Sequence, residues 1–210
     1  MARLVPSLAR EAEAWAAARL LVGVDEAGRG PLAGPVVAAA IVFPAKVARI
    51  RGIRDSKLLS EKQRLHLLPR IRERALRVAV AAASVREIDR FNIRVATAIA
   101  MRRAVRRALV GLGPFSILID GLRMPEIGYE HQALVDGDVH CMSIAAAGIV
   151  AKCVRDKLMR QLANRHPYYS WETNMGYSTE AHLAALRSTG PCVHHRREFA
   201  PVAQLVLWDG

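Results

Sequence analysis

Two acids side by side at the mouth of an apolar run constrain this chain more than any other feature. The stretch reads Leu21-Val22-Gly23-Val24-Asp25-Glu26-Ala27-Gly28-Arg29-Gly30-Pro31-Leu32-Ala33-Gly34-Pro35, and a second apolar run, Val36 to Phe43, follows at once. The local reading is strand, tight turn, strand. Two carboxylates where a buried strand opens are costly unless something pairs with them, and no Lys or Arg precedes them within the strand. Asp and Glu oxygens are hard ligands, so a divalent cation such as Mg²⁺ or Mn²⁺ is the natural partner. An exposed Asp-Glu turn is the ordinary alternative. The glycines that follow mark a place where a ligand can approach the main chain closely. No Gly-Lys-Ser/Thr occurs, which excludes a P-loop, and Pro31 with the strand after it replaces the helix that a dinucleotide fingerprint needs.

The balance of charge adds a second constraint. The 210 residues carry 31 Lys and Arg against 19 Asp and Glu, a formal net charge of +12, with a pI near 10.6. Such a chain suits a polyanionic partner, nucleic acid or an anionic membrane surface. Its longest apolar runs, such as Val36–Phe43, are only about eight or nine residues, too short for a bilayer. Arg3, Arg10, Glu11 and Glu13 spoil a signal-peptide core. Cys141, Cys153 and Cys192 are odd in number and form no C-x-x-C. Free thiols in a cytoplasmic protein are the expectation.

The remaining pattern is helix–strand alternation. A short helix is expected over Ser7–Leu20, strands over Leu20–Glu26, Val36–Phe43 and Leu76–Ser84, and a helix from Ser60 to about Ala75 with Gln63 completing a capping box. A long helix follows over Glu87–Leu109, then a buried strand Phe115–Gly121, a short strand His131–Val135 and a helix of small residues from Ser143 to His166. Tyr168 to Ser178 reads as an aromatic, polar loop, with helices over Thr179–Arg187 and Glu198–Leu205. This order implies an α/β domain, a mixed sheet of about five strands flanked by helices. Residues 1–165 would form the main domain and 166–210 a helical extension packed on the same core.

Asp120 sits where a strand exits, as Asp25 does, and strand ends are where sites form in open α/β sheets. Asp138 follows in Asp136-Gly137-Asp138. Taken alone, Asp120-Gly121 is equally a strand-ending turn, and Asp136 and Asp138 a polar hairpin. Together, Asp25, Glu26, Asp120 and Asp138 would make a cluster of like charges that bound metal must offset. Two Mg²⁺ ions about 3.5–4 Å apart would do so, and would clamp the attacking water and the leaving 3′ oxygen of a phosphoryl displacement.

The segment Asp25 to Ala40 resembles the first motif of the ribonuclease HII (type 2 ribonuclease H) family. Five further motifs follow in order: Asp55-Ser56-Lys57-Leu58-Leu59-Ser60, the strand ending Asp120-Gly121, Gly137-Asp138 before Ser143-Ile144-Ala145-Ala146, Asn174-Met175-Gly176-Tyr177-Ser178-Thr179, and His194-His195-Arg196-Arg197-Glu198-Phe199. The resemblance implies a ribonuclease H-like fold and carries metal binding and catalysis to Asp25, Glu26, Asp120 and Asp138, preferring Asp138 to Asp136. It gives Gly28, Arg29 and Gly30 recognition of a lone ribonucleotide through its 2′-hydroxyl, the group that distinguishes RNA from DNA. It places Tyr177 against the neighbouring sugar. Lys57, Ser143 and Lys152 are candidate phosphate contacts, although Lys152 and Asp156 also make an ordinary i,i+4 pair. The chain departs from the family pattern at Leu122, Gly148, Met175 and Ser178.

The implied activity is a Mg²⁺- or Mn²⁺-dependent endoribonuclease of the cytoplasm. It would cut the RNA strand of RNA–DNA hybrids and incise 5′ of single ribonucleotides in duplex DNA, leaving 5′-phosphate and 3′-hydroxyl ends, in ribonucleotide excision repair. Its partners would be hybrid and ribonucleotide-containing duplex, with no membrane contact and a monomeric state. A nuclease of the same fold without junction specificity, or a non-catalytic hybrid-binding module, are the alternatives. The Arg102-Arg103-Ala104-Val105-Arg106-Arg107 stripe is either a solvated helix face or a nucleic-acid contact. The apolar tail Ala203–Trp208 would either fold back onto the core or bind a partner.

Overall fold

The computed structural model describes residues 5–206; Arg3 and the tail residues Leu207 and Trp208 lie outside them. Five strands form one mixed sheet in the order β3-β2-β1-β4-β5. Strand β1 (Leu20–Ala27) is central, antiparallel to β2 (Val36–Val42) and parallel to β4 (Phe115–Asp120). Outside them lie β3 (Arg77–Ala83), antiparallel to β2, and β5 (Gln132–Leu134), parallel to β4. This is the mixed α/β architecture that the helix–strand pattern implies.

Alternation along the strands divides the interior into two layers. Val22, Val24, Val36, Ala38, Ala40, Val42, Ala79, Ala81 and Ala83 point to one face, where they meet Ala96, Ala100 and Ala104 of helix α3 (Val85–Ala108). Val37, Ala39 and Ile41 point to the other, against Ala146, Ile149 and Val150 of helix α5 (Met142–Ala163) and Leu67 and Ile71 of helix α2 (Glu61–Arg74). Every residue of β2 is buried, as expected of a strand covered on both sides.

The helix ends follow local chemistry. Ser60 and Gln63 form the capping box that starts α2, and Ser84 with Glu87 forms a second one, two residues ahead of the expected start of α3. Helix α3 is not continuous. Asn92 has φ of 67°, and its Oδ1 accepts from the Arg94 and Val95 amides, so its side chain caps the second half. Helix α1 (Ala9–Ala16) places Glu11 against the start of α5, whose own N-cap, Cys141, offers no side-chain bond. Glu11 Oε1 accepts from Ser143 N at 2.7 Å and Ser143 Oγ at 2.6 Å. A carboxylate from 132 residues away thus caps the helix and meets its positive end.

The segment expected as an aromatic loop, Tyr168–Ser178, is instead a 3₁₀ turn (Pro167–Tyr169) and a single helical turn, α6 (Trp171–Asn174), after the four-residue helix α4 (Gly137–His140) and α5 in chain order. Burial of Tyr169 and Trp171 drives the change. They join Leu32, Ala33, Met159, Met175, Leu186 of helix α7 (Glu180–Thr189) and Val202 of helix α8 (Ala200–Val206) in a third cluster, packed around the β1–β2 connection. Among the described residues no helix is long and apolar enough to cross a membrane.

Candidate active site

Parallel pairing sets the position of the acids. Val24 lies opposite Ile119, so Asp25 and Asp120 come next in register at the ends of neighbouring strands. Asp138 arrives from α4, which begins directly after the Asp136 turn (φ 53°). The Gly137 amide donates to Asp120 Oδ1 at 2.7 Å and ties that turn to the strand end. Asp25 Oδ1 accepts from the Glu26 amide at 2.6 Å.

These carboxylates stand close enough to disturb one another. Burial, then repulsion from Glu26 and Asp120, holds Asp25 well above the ordinary carboxylate range. Burial raises Glu26 as well, against the pull of Arg29, whose Nη1 lies 3.5 Å from Glu26 Oε1. Asp120 is raised, mainly by burial. Asp138 is pushed up to about 6 by burial and then by Asp55 and Asp120. Asp55 and Asp138 are themselves within hydrogen-bonding reach. Burial alone would lower Lys57, but Asp55, Asp25, Asp138 and Asp120 together raise it. Among the described residues no Lys or Arg forms an ion pair with Asp25, Asp120 or Asp138.

Gly148 decides how Asp25 sits. A Cβ at this helical position would collide with Asp25 Oδ2, so the bare glycine lets the carboxylate lean against α5. As the side chains stand, no group of three His, Cys, Asp or Glu among the described residues is closed into a ready metal cage. The acids are gathered but splayed.

The glycine loop beside them is held from behind by two buried arginines. Arg155 donates from Nε to Pro35 O, from Nη1 to Met175 O and from Nη2 to Ala33 O, each at 3.0 Å. Arg196 donates to Gly34 O, Arg29 O and Gly28 O. Both are fully buried, and burial lowers both, Arg196 to about 9, which still leaves it charged at neutral pH. Gly28, at φ of 97°, has no room for a side chain, because a Cβ would enter the Arg155 guanidinium.

The other sequence candidates fall into place unevenly. Tyr177 is exposed beside the loop; a Cβ on Gly30 would reach its ring at 4.0 Å, and Lys152 Nζ lies 6.0 Å from the ring centre. Lys152 also pairs with Asp156 at 2.6 Å, and Asp156 with Arg64 at 3.3 Å. Ser143 is fully buried with its hydroxyl committed to Glu11, so its place is in a helix cap and not on a surface that phosphate could reach. Cys141 and Cys153 are buried and unpaired. Sequence reasoning passed over Asp55, Arg155 and Glu11. Only Asp55 carried a local signal, as the acid that opens the Asp55-Ser56-Lys57 turn, where it accepts from the Lys57 amide at 2.9 Å. Behind Asp55 a cavity of about 560 Å³ has a floor of Ile53, Leu59 and Leu67 and a rim that includes Arg51, Arg54 and Lys62.

A mixed sheet with acids converging at parallel strand ends and a cation-rich surround defines a nuclease of ribonuclease H-like fold. The family model for ribonuclease HII matches residues 22–202. Ribonuclease HII of Thiobacillus denitrificans is 54% identical over 186 residues, covering 89% of this chain and 90% of that protein. Among solved structures, ribonuclease H2 from Pyrococcus horikoshii superposes with a TM-score of 0.72 at 24% identity, covering 89% of this chain and 96% of that one. Bst-RNase HIII in complex with Mn²⁺ gives 0.70 at 21% identity, covering 90% and 70%. The chain belongs to the ribonuclease HII family and is an endoribonuclease of the ribonuclease H type.

Proposed function

We propose that this chain is a metal-dependent endoribonuclease that cuts the RNA strand of RNA–DNA hybrids and incises 5′ of a single ribonucleotide embedded in duplex DNA. The observation that carries the reading is the group Asp25, Glu26, Asp120 and Asp138, at the ends of β1 and β4 and the start of α4, with protonation favoured by burial first and then by neighbouring carboxylates. A cluster raised in this way is relieved by cations. Its donors are all hard oxygens, which fits Mg²⁺ or Mn²⁺. The splayed arrangement fits as well, since Mg²⁺ keeps several waters and takes one or two carboxylates together with substrate phosphate. Two such ions would neutralise charge on the phosphate and supply an activated water. The Mn²⁺ bound to the fold relative Bst-RNase HIII supports the same assignment.

The chain's own residues would do the rest. Gly28, Arg29 and Gly30 present backbone groups to a 2′-hydroxyl, Tyr177 packs on the adjoining sugar, and Lys57 and Lys152 meet phosphate. Of the extension proposed over 166–210, the described part, up to residue 206, buttresses this loop. On this reading the enzyme works as a cytoplasmic monomer on misincorporated ribonucleotides and residual primers, leaving 5′-phosphate and 3′-hydroxyl ends.

The test is cleavage of a labelled DNA duplex with one ribonucleotide, in Mg²⁺, Mn²⁺ or EDTA, beside an all-DNA duplex and a continuous RNA–DNA hybrid. A metal-dependent cut immediately 5′ of the ribonucleotide is expected. Cleavage of the continuous hybrid alone would remove the roles given to Gly28–Gly30 and Tyr177. Binding without turnover in either metal would overturn the catalytic reading.

A further inference from the structure

Behind Tyr177 lies a buried hydrogen-bond relay of two histidines whose protons can be placed by geometry alone. The Cys192 amide donates to His195 Nδ1 at 3.0 Å, which makes that nitrogen an acceptor and leaves the proton of neutral His195 on Nε2. His195 Nε2 lies 3.0 Å from His182 Nε2, so it donates and His182 Nε2 accepts. The indole Nε1–H of Trp171, a donor only, reaches the same His182 nitrogen at 3.1 Å. His182 must then carry its proton on Nδ1, and that nitrogen lies 2.8 Å from Tyr177 O.

His182, His195 and Trp171 are at most 1% exposed. Burial lowers both imidazoles, His195 to about 3, so the pair stays neutral and these tautomers persist at neutral pH. The relay has ends at both parts of the surface assigned above to the ribonucleotide. At one end Tyr177 O accepts from His182 and from the Thr179 amide at 2.9 Å. At the other, His195 adjoins Arg196, which grips Gly28 O and Arg29 O, and Ala33 bridges to His195. The Leu32 amide closes the circuit by donating to Gly176 O at 2.8 Å.

We infer that His182, oriented by His195 and Trp171, is a positioning residue that sets Tyr177 against the Gly28–Gly30 loop and thereby determines how well the enzyme prefers a lone ribonucleotide over a continuous hybrid. The inference rests on the role proposed for Tyr177. Its physical content is that the Nδ1–H bond to Tyr177 O matters for selection, whereas the Nε2 side serves packing and orientation. A misplacement of about 1 Å at a substrate contact can cost on the order of a hundredfold in rate.

Two amide substitutions separate the two nitrogens. An asparagine at 182 reaches about as far as Nδ1 and can still donate to Tyr177 O, whereas a glutamine reaches about as far as Nε2 and can still accept from Trp171 and His195. Each loses one side of the relay, so a merely structural role predicts similar thermal destabilisation and similar kinetics for both. The inference predicts that H182N keeps the ratio of kcat/KM on the single-ribonucleotide duplex to that on the hybrid within about threefold of wild type, while H182Q and Tyr177→Ala each lower it about tenfold or more. Hydrogen exchange over residues 174–179 should speed up in H182Q and not in H182N, and long-range ¹⁵N spectra should show the proton on Nδ1 of His182 and on Nε2 of His195. A lowered ratio in Tyr177→Ala with H182N and H182Q indistinguishable overturns the inference, as do the opposite tautomers. An unchanged ratio in Tyr177→Ala instead overturns the role proposed for Tyr177, whatever the His182 variants do.

Discussion

The carboxylate cluster and the arginine–histidine framework behind it handle buried charge in opposite ways. At the front, Asp25, Asp120 and Asp138 share a confined space without an ion pair among the described residues, and Asp55 adds to the crowding. At the back, Arg155 and Arg196 are more deeply buried but spend their donors on main-chain carbonyls, and His182 and His195 are neutral and bonded through both ring nitrogens. Satisfied polar groups fix geometry; unsatisfied ones await a ligand. The difference separates what holds the site from what performs its chemistry, although both are built from buried ionisable residues.

Substitution in each region should break a different property. Asp25→Asn or Asp120→Asn should reduce cleavage by about a thousandfold or more while leaving the melting temperature in EDTA unchanged or raised, since a repulsive charge is lost. Near-normal cleavage by either variant would dissolve the contrast. Arg196→Met should act on stability first, costing about 3–5 kcal/mol in urea unfolding, because the Gly28, Arg29 and Gly34 carbonyls lose their buried donor. Gly148→Ala should lower metal-supported cleavage about tenfold, because the added Cβ turns the Asp25 carboxylate away from α5; stability should change little.

A smaller effect should appear as two pH dependences of opposite sign in metal-free protein. Asp138 has a folded value of about 6, above the ordinary 3.8, so the folded state takes up its proton first. Its contribution to stability therefore grows as pH falls from about 6 towards 4, and Asp138→Asn should abolish that gain. His195 has a folded value of about 3, below the ordinary 6.5, so the unfolded state takes up the proton first. Its contribution is lost as pH falls from about 6.5 towards 3, and His195→Gln should reduce that loss. Unfolding curves at several pH values check both, and equal slopes in wild type and both variants would contradict the assignment.

The front of the molecule was far more legible in the sequence than the back. Asp25 and Glu26 sit at the close of an apolar run, and Asp120 ends another, so local pattern placed them at strand ends. The Ser60–Gln63 box was read from spacing alone, and Lys152–Asp156 was visible as an i,i+4 pair. Arg196 stands in the His194–Phe199 motif, but neither it nor Glu11 announces its partner locally. Their partners lie 168 and 132 residues away, and hydrophobic periodicity carries no information about which distant carbonyl or amide a buried charge will meet. His182 looks like an ordinary helix residue until the fold brings His195 to it. Tyr169 and Trp171 misled for a related reason, since a short aromatic stretch among polar residues reads as loop until a core forms around it.

The Arg196 clamp also bears on when during synthesis this enzyme can become active. The Gly28–Pro35 loop leaves the ribosome well before Arg196, which lies 168 residues after Gly28 along the chain. Domains complete themselves as units during translation. A nascent chain not yet extended to Arg196 would present the acids of β1 and β4 without the guanidinium that seats the loop beside them. Competence to cut would then arrive in a single late step, and prematurely terminated chains would lack a properly seated loop.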